Sequence, residues 1–195
     1  MMRFQPLRFP IHLARHRLNP ASIRPISQNM IYTDSQKTVF TVNKIDSAKP
    51  PTDKGNVCFE VDVHLGGEGQ RIFIGLLETA SLGIRDNSPG IGFSIDPTNG
   101  VIMDVVNDQG VIGYIEDENL YPGRVLSVRV EVELLNRVCI PKIKIGEEIF
   151  LHPALFLGSP SNLSALVGSA VVPGGRASFD RGSLQVSMNQ DGLPA

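Results

Sequence analysis

The chain has 195 residues, of which 42% are hydrophobic and 19% charged, and its formal net charge at pH 7 is −2. This composition is typical of one folded domain and excludes a wholly disordered chain. No apolar run approaches the roughly 20 residues that a membrane-spanning helix needs, so we expect no membrane span.

The first 33 residues are basic, with five arginines and no acidic residue. All 20 acidic residues therefore follow position 33, together with 13 of the 18 basic ones. This excess of negative charge in the main body disfavours nucleic-acid binding.

Three interpretations fit the basic segment 1–33. It could be an organelle transit peptide, a basic arm for an anionic partner, or a disordered extension with Met30 as the true start. The last is favoured because four prolines interrupt any amphipathic helix: Pro6, Pro10, Pro20 and Pro25. We expect a disordered basic tail over 1–33, one domain over 34–190 and a flexible C-terminus over 191–195.

Strand-like alternation covers most of that domain. Apolar and polar residues alternate in "NVCFEVDVHL" (56–65), in "VLSVRVEVELL" (125–135) and in "KIKI" (142–145), as in strands with one buried face. Further strands are predicted at 39–45, 71–77, 91–95, 101–106, 111–115, 149–151, 177–179 and 184–188. Short strands separated by Gly, Pro, Asn and Asp turns predict an all-β, antiparallel β-sandwich or barrel.

Three segments need separate interpretation. "SNLSALVGSA" (161–170) fits either a short helix capped by Ser161 or Asn162, or a loop or irregular strand. "DPTNG" (96–100) and "NDQG" (107–110) resemble oxygen-rich loops, but they lack the spacing of a calcium loop. Turn chemistry explains both, so we expect neither a metal nor a cofactor.

Cys58 and Cys139 are the two cysteines. Neither lies at metal-ligand spacing, which makes zinc binding improbable, and their pairing is left open. We expect reduced thiols and a cytoplasmic protein, with organelle targeting through the arginine-rich N-terminus as the alternative.

The "EVDVH" stretch places Glu60, Asp62 and His64 on one face of a predicted strand. It resembles the catalytic Glu-x-Asp-x-Glu strand of laminarinase-type glucanases, a β-jelly-roll family. The resemblance implies Glu60 as nucleophile and Asp62 as its helper, but His64 replaces the acid/base glutamate. A glycan-active enzyme would therefore need a second carboxyl group, from Glu131 or Glu133.

The segment 91–122, "IGFSIDPTNGVIMDVVND…GVIGYI…LYP", is similar to the SPRY domain pattern. The matching residues are Ile91, Gly92, Asp96, Gly100, Asn107, Leu120, Tyr121 and Pro122. About 70 residues follow where a SPRY domain nearly ends, and their alternating strands are more similar to a laminin-G or legume-lectin sandwich. Both resemblances imply a concanavalin-like jelly roll.

The leading functional hypothesis is a non-catalytic module that binds a protein segment or a glycan through rim loops. Two polar loops, 83–90 and 116–123, supply the candidate ligand-binding residues: Arg85, Asp86, Asn87, Glu116, Asp117 and Tyr121. The alternatives are the glucanase-like enzyme and a structural domain that associates with itself, and the sequence leaves the oligomeric state open.

Overall fold

The computed structural model describes residues 29–34, 36–51, 54–65, 70–79, 84, 88–107, 110–116, 120–121, 123–135, 138–152, 156–157, 160–170 and 178–188. Within these ranges the protein is all-β and has no helix, and so no helix that could cross a membrane. The strands are β1 (Asn29–Thr33), β2 (Val39–Ala48), β3 (Lys54–His64), β4 (Ile72–Leu77), β5 (Gly90–Ile95), β6 (Val101–Asp104), β7 (Gly110–Tyr114), β8 (Val125–Leu135), β9 (Val138–Ile145), β10 (Glu148–Leu151), β11 (Phe156–Leu157), β12 (Leu163–Ala170) and β13 (Ser178–Met188).

Two antiparallel sheets form a sandwich. The seven-stranded sheet has the order β1-β2-β12-β4-β5-β6-β7, and the six-stranded sheet has the order β10-β9-β8-β3-β13 with β11 also paired to β9. The predicted all-β, antiparallel sandwich is therefore confirmed. Within the described residues, four of the eleven strand pairings join distant parts of the chain: β2 with β12, β12 with β4, β8 with β3, and β3 with β13.

The main core lies between the two sheets. In β3 and β8 every second residue is buried, as the alternation predicted, and Phe59 and Val130 from these strands have no solvent exposure. They pack with Phe93 and Ile74 of the facing sheet. Burying one such side chain contributes about 1.5–3 kcal/mol, so these inner faces provide much of the stability.

A second apolar cluster lies on the other face of the seven-stranded sheet. Its largest members are Tyr32, Phe40, Phe73 and Leu166, and Ile84 from the β4–β5 connection packs against it. The Phe40 and Phe73 rings lie 5.7 Å apart between centroids. As a result β4 and β5 are buried along their whole length, on both faces of the sheet.

The same two-sided burial explains the ambiguous segment 161–170. It forms β12, a central strand between β2 and β4, so the helix alternative is wrong. Seven of its eight residues are buried, which removes the alternation that identifies a strand with one wet face.

Two predicted boundaries also change. β1 lies inside the segment 1–33 that was assigned to a tail, and it pairs with β2 from Asn29 to Thr33. The predicted strands 177–179 and 184–188 belong to one strand, β13, with a register shift between Asp180 and Ser183. The predicted tail before Asn29 and the C-terminus 191–195 lie outside the described residues.

Candidate functional site

The two predicted ligand loops join the sandwich at opposite ends. Antiparallel strands reverse direction at each turn, so the β4–β5 connection lies at one end and the β5–β6 and β7–β8 connections at the other. β4 has six residues, which is about 20 Å of strand between those ends. Arg85, Asp86, Asn87 and Asp117 lie outside the described residues, whereas Glu116 and Tyr121 are described and exposed.

Tyr121 is held in place although its side chain is 52% exposed. The Arg124 guanidinium lies 5.6 Å from the centroid of the ring, and its Nη1 donates to the phenol oxygen at 3.4 Å. The backbone is fixed as well, because Leu65 N donates to Arg124 O at 2.9 Å and Gly123 N to Leu65 O at 3.1 Å. The ring is therefore an ordered aromatic surface at the end of β3.

The turn 96–100 packs beside that loop. Gly100 has a φ of +70°, and a Cβ atom there would lie 2.2 Å from the carbonyl oxygen of Ile115 and 3.0 Å from a methyl group of Leu120. The Asp96 side chain accepts from Thr98 N at 2.9 Å, so the acidic and amide residues of "DPTNG" shape the turn, as predicted.

Arg71 anchors this turn to the β1–β2 turn. Its Nη1 donates to Gln36 Oε1 at 2.9 Å and lies 3.9 Å from the buried Asp34 carboxylate, while its Nε lies 3.5 Å from Asp96 Oδ2. One guanidinium thus fixes two neighbouring turns.

Tyr114 completes the exposed surface. It is 62% exposed and lies opposite Val101, the residue that follows the turn. Tyr114 pairs with the residue after the turn, and Tyr121 follows Leu120, which packs on Gly100, so both tyrosines belong to this end of the sandwich. We call the set Thr98, Asn99, Tyr114, Glu116 and Tyr121 the tyrosine rim. Sequence reasoning identified Glu116 and Tyr121 but missed Tyr114, because it lies within a predicted strand.

The predicted catalytic strand lies elsewhere, on the outer face of the six-stranded sheet. Glu60 accepts from Arg129 Nη1 at 2.8 Å, and the same guanidinium bonds Glu131 at 3.4 Å. Lys142 pairs with Glu133 on the neighbouring strands. Glu60 and Glu131 both accept hydrogen bonds from Arg129. Glycoside hydrolysis requires one carboxyl group of the catalytic pair to donate a proton instead.

Asp62 and His64 share that face, as predicted, and Asp180 of β13 lies beside both. His64 Nε2 lies 2.7 Å from Asp180 Oδ2 of β13. Asp62 lies opposite Ser127 on one side and Asp180 on the other. Cross-strand neighbours of opposite and like charge are common on the wet face of a sheet, and both kinds meet here beside His64 and Asp62.

The sequence pattern did not predict a buried polar pair formed by Asp104 and His152. Asp104 Oδ2 and His152 Nε2 are 3.0 Å apart, and neither side chain is exposed. Asp104 Oδ1 also accepts from the backbone nitrogens of Val106 and Asn107, at 3.2 and 3.1 Å. Its complete burial makes this pair a structural link rather than a ligand site.

Cys58 and Cys139 are free thiols. Cys58 lies on β3 and Cys139 on β9, with β8 between them, so their backbones are about two strand spacings apart and cannot be bridged. Burial raises the pKa of Cys58 to about 12 and that of Cys139 to about 11. Among the described residues no cluster of three or more His, Cys, Asp or Glu side chains could hold a metal ion.

No protein-family model matches the chain, and no curated protein matches its sequence. A solved lectin from Bauhinia forficata, in complex with GalNAc, is 10% identical with a TM-score of 0.50, over 91% of this chain and 97% of that one. The Emp46p carbohydrate recognition domain is 11% identical with a TM-score of 0.49, over 82% of each chain. An alginate lyase of polysaccharide lyase family 7 is 9% identical with a TM-score of 0.45, over 83% of this chain and 84% of that one.

At these identities the likeness establishes the fold alone. The protein is a concanavalin A-like jelly-roll β-sandwich, which confirms the fold that the sequence predicted.

Proposed function

We propose that the protein is a non-catalytic carbohydrate-binding module whose ligand lies on the tyrosine rim. The observation that carries the proposal is the placement of Tyr114 and Tyr121. They are two of the chain's three tyrosines, and both are exposed at the end of the sandwich that carries the polar turn 96–100.

Tyrosine suits this role because it combines a large apolar face with a polar edge. The face packs against the apolar C–H surface of a sugar ring, and the phenol hydroxyl bonds the sugar hydroxyls. Arg124 already orders the Tyr121 ring, at 5.6 Å from its centroid. A preordered ring loses little side-chain entropy on binding, which favours affinity.

The rest of the rim supplies hydrogen-bonding groups. Thr98, Asn99 and Glu116 are exposed, and they offer a hydroxyl, an amide and a carboxylate within the same end of the sandwich. An aromatic surface with a few polar groups beside it is the usual composition of a small-molecule site. The fold is compatible, since the similar Bauhinia forficata structure is described as a lectin in complex with GalNAc.

The glucanase-like alternative has less support. It requires one proton-donating carboxyl group near Glu60, and the nearby Glu131 shares the Arg129 guanidinium with it. Binding of a protein segment would favour an exposed apolar groove, whereas the rim alternates aromatic and polar side chains.

The test is saccharide binding by the full chain and two rim variants. A printed array of neutral and acidic saccharides identifies a ligand for the wild-type protein, and calorimetry then measures its affinity. Tyr121→Ala and Tyr114→Ala should each weaken binding more than about fivefold, as expected for anchoring aromatic residues. Ile31→Ala is the matched control, because Ile31 is an exposed apolar residue on the distant edge strand β1.

Two outcomes contradict the proposal. If the wild-type protein binds no saccharide, the function is wrong. If both tyrosine variants bind as the wild type does, the site is wrong. Release of reducing sugar from laminarin that disappears in Glu60→Gln would support the enzymatic alternative instead.

A further inference from the structure

We propose, resting on the function above, that the site takes a neutral oligosaccharide rather than a single sugar. The chain would run from Tyr121 over Val125 to His64 and Ser178, at the end of the six-stranded sheet. Three features carry this inference: the backbone contact between the Tyr121 loop and β3, the row of exposed residues beside it, and the charge around that row.

The Tyr121 loop is joined directly to the end of β3. Arg124 N donates to Tyr121 O at 3.0 Å, and Arg124 O accepts from Leu65 N at 2.9 Å. His64 is the last residue of β3 and immediately precedes Leu65. Backbone hydrogen bonds therefore join the loop that carries Tyr121 directly to the end of β3, whose outer face carries His64.

Three residues form a row across that end. Val125 lies opposite His64 on one side, and Ser178 lies opposite His64 on the other. Val125 is 45% exposed, the His64 side chain is 38% exposed, and Ser178 is also exposed. Neighbouring strands are about 4.8 Å apart, so the row adds about 10 Å of surface to the rim.

The chemistry of the row matches a second contact region for a sugar chain. Val125 offers an apolar patch, Ser178 offers a hydroxyl, and His64 has a defined ring orientation because Asp180 holds its Nε2 at 2.7 Å. Groups held by a neighbouring side chain recognise ligand hydroxyls with little loss of entropy. A single sugar ring on Tyr121 would not reach this row, whereas a chain of rings would.

The charge at the His64 end of the row, away from Arg124 at the Tyr121 end, selects against acidic sugars. Asp62 and Asp180 lie directly opposite each other, and both are beside His64. Like charges at opposed positions destabilise a sheet, and a carboxylate on the ligand would add to that repulsion. We therefore expect the site to bind neutral oligosaccharides more tightly than oligouronates.

The experiment compares chain lengths. Calorimetry with neutral laminari-oligosaccharides of one to six residues, and with oligouronates of matched length, is carried out on the full chain. We expect affinity for the neutral series to rise about tenfold or more with length and then level off, with oligouronates weaker at every length.

Variants separate the two regions. His64→Gln and Ser178→Ala should lower affinity for the long oligosaccharides about fivefold, while short ones bind as before. Tyr121→Ala should weaken the binding of both long and short oligosaccharides. Lys144→Ala, on the same sheet face but two strands from His64, is the matched control and should change neither.

Each failure has its own meaning. Affinity that is independent of length, or long-chain binding that survives His64→Gln and Ser178→Ala, overturns the extended site and leaves the tyrosine rim intact. Equal or tighter binding of oligouronates overturns the selection for neutral chains. If no saccharide on the array binds the wild-type protein, the proposed function fails, and this inference fails with it.

Discussion

Asp104 and His152 are hydrogen-bonded at 3.0 Å in the interior, where neither side chain has any solvent exposure. Asp104 ends β6 of the seven-stranded sheet, and His152 follows β10 of the six-stranded sheet. The pair therefore links the two sheets with polar groups, inside a core that is otherwise mostly apolar.

Removing one partner should strongly destabilise the protein. Asp104→Ala removes the acceptor that faces the buried His152 imidazole, and removing one partner of a buried hydrogen bond costs about 1–3 kcal/mol. The free energy of unfolding in urea measures the loss. His152→Phe together with Asp104→Leu should recover only part of it, because the apolar pair removes the buried imidazole but also removes the carboxylate that accepts from the backbone nitrogens of Val106 and Asn107.

A loss below about 1 kcal/mol for Asp104→Ala would show that the pair contributes no more than an exposed one. That result would mean that water reaches the site when the carboxylate is removed.

Sequence reasoning predicted the parts of the fold that have one wet face. β3 and β8 alternate because their outer residues, such as Glu60 and Arg129, meet solvent while Phe59 and Val130 meet the core. β12 lacks this pattern because both of its faces are buried, so helix and strand could not be distinguished locally. β4 and β5 are also buried on both faces, but each is a short apolar run, and such a run between turn residues still predicts a strand.

The site was less predictable because its contacts are distant in sequence. His64 and Asp180 are 116 positions apart, and Asp104 and His152 are 48 apart. Polar composition identified Tyr121 in a loop, but no local signal shows that Tyr114 is exposed at the same end. Tyr114 and Tyr121 are brought to the same end of the sandwich only by the order of the strands.

The Glu60–Arg129 pair should contribute little to stability. Both side chains are nearly half exposed, so Glu60→Gln should lower the free energy of unfolding by less than about 1 kcal/mol. The effect should shrink as salt is added, because salt screens exposed charges. Arg129→Gln should cost more, since it leaves Glu60 and Glu131 without the cation that they share.

Urea unfolding of both variants at low and high salt makes the comparison. A large, salt-independent loss for Glu60→Gln would contradict the description of Glu60 as an exposed partner in a surface pair.

The two thiols should be unreactive until the protein unfolds. The thiolate is the reactive form, and burial raises the pKa of Cys58 to about 12 and that of Cys139 to about 11. At pH 8 a thiol reagent should label neither cysteine in the folded protein and both in denaturant. Rapid labelling of Cys58 alone in the native state would show that its strand opens locally.

The same thiols should make stability fall in alkali. In the unfolded chain both thiols ionise near pH 9.0. In the folded protein Cys139 stays protonated to about pH 11 and Cys58 to about pH 12. Unfolding therefore releases protons above pH 9, so the free energy of unfolding decreases from there upward and is fully retained below it. Cys58→Ala should flatten this decline, and equal slopes in the variant and the wild type would argue against the thiol as its source.

The apolar cluster on the outer face of the seven-stranded sheet should not tolerate added volume. A Cβ atom on Gly92 would lie 2.4 Å from Val106 Cγ2 and 2.9 Å from Leu77 Cδ2. Gly92→Ala should therefore destabilise the protein by about 1–3 kcal/mol, as overpacking does elsewhere. Thermal unfolding should show a midpoint lower by roughly 2–4 °C for each kcal/mol lost.

The double variant with Val106→Ala distinguishes a steric clash from a backbone effect. Removing the Val106 methyl groups opens space for the new Cβ atom, so the double variant should lose less stability than the sum of the two single variants. Additive losses would mean that the two residues do not contact each other. If Gly92→Ala left the free energy of unfolding unchanged, the outer face of the seven-stranded sheet would be open rather than filled. That face would then be a second candidate surface for saccharide binding, beside the tyrosine rim.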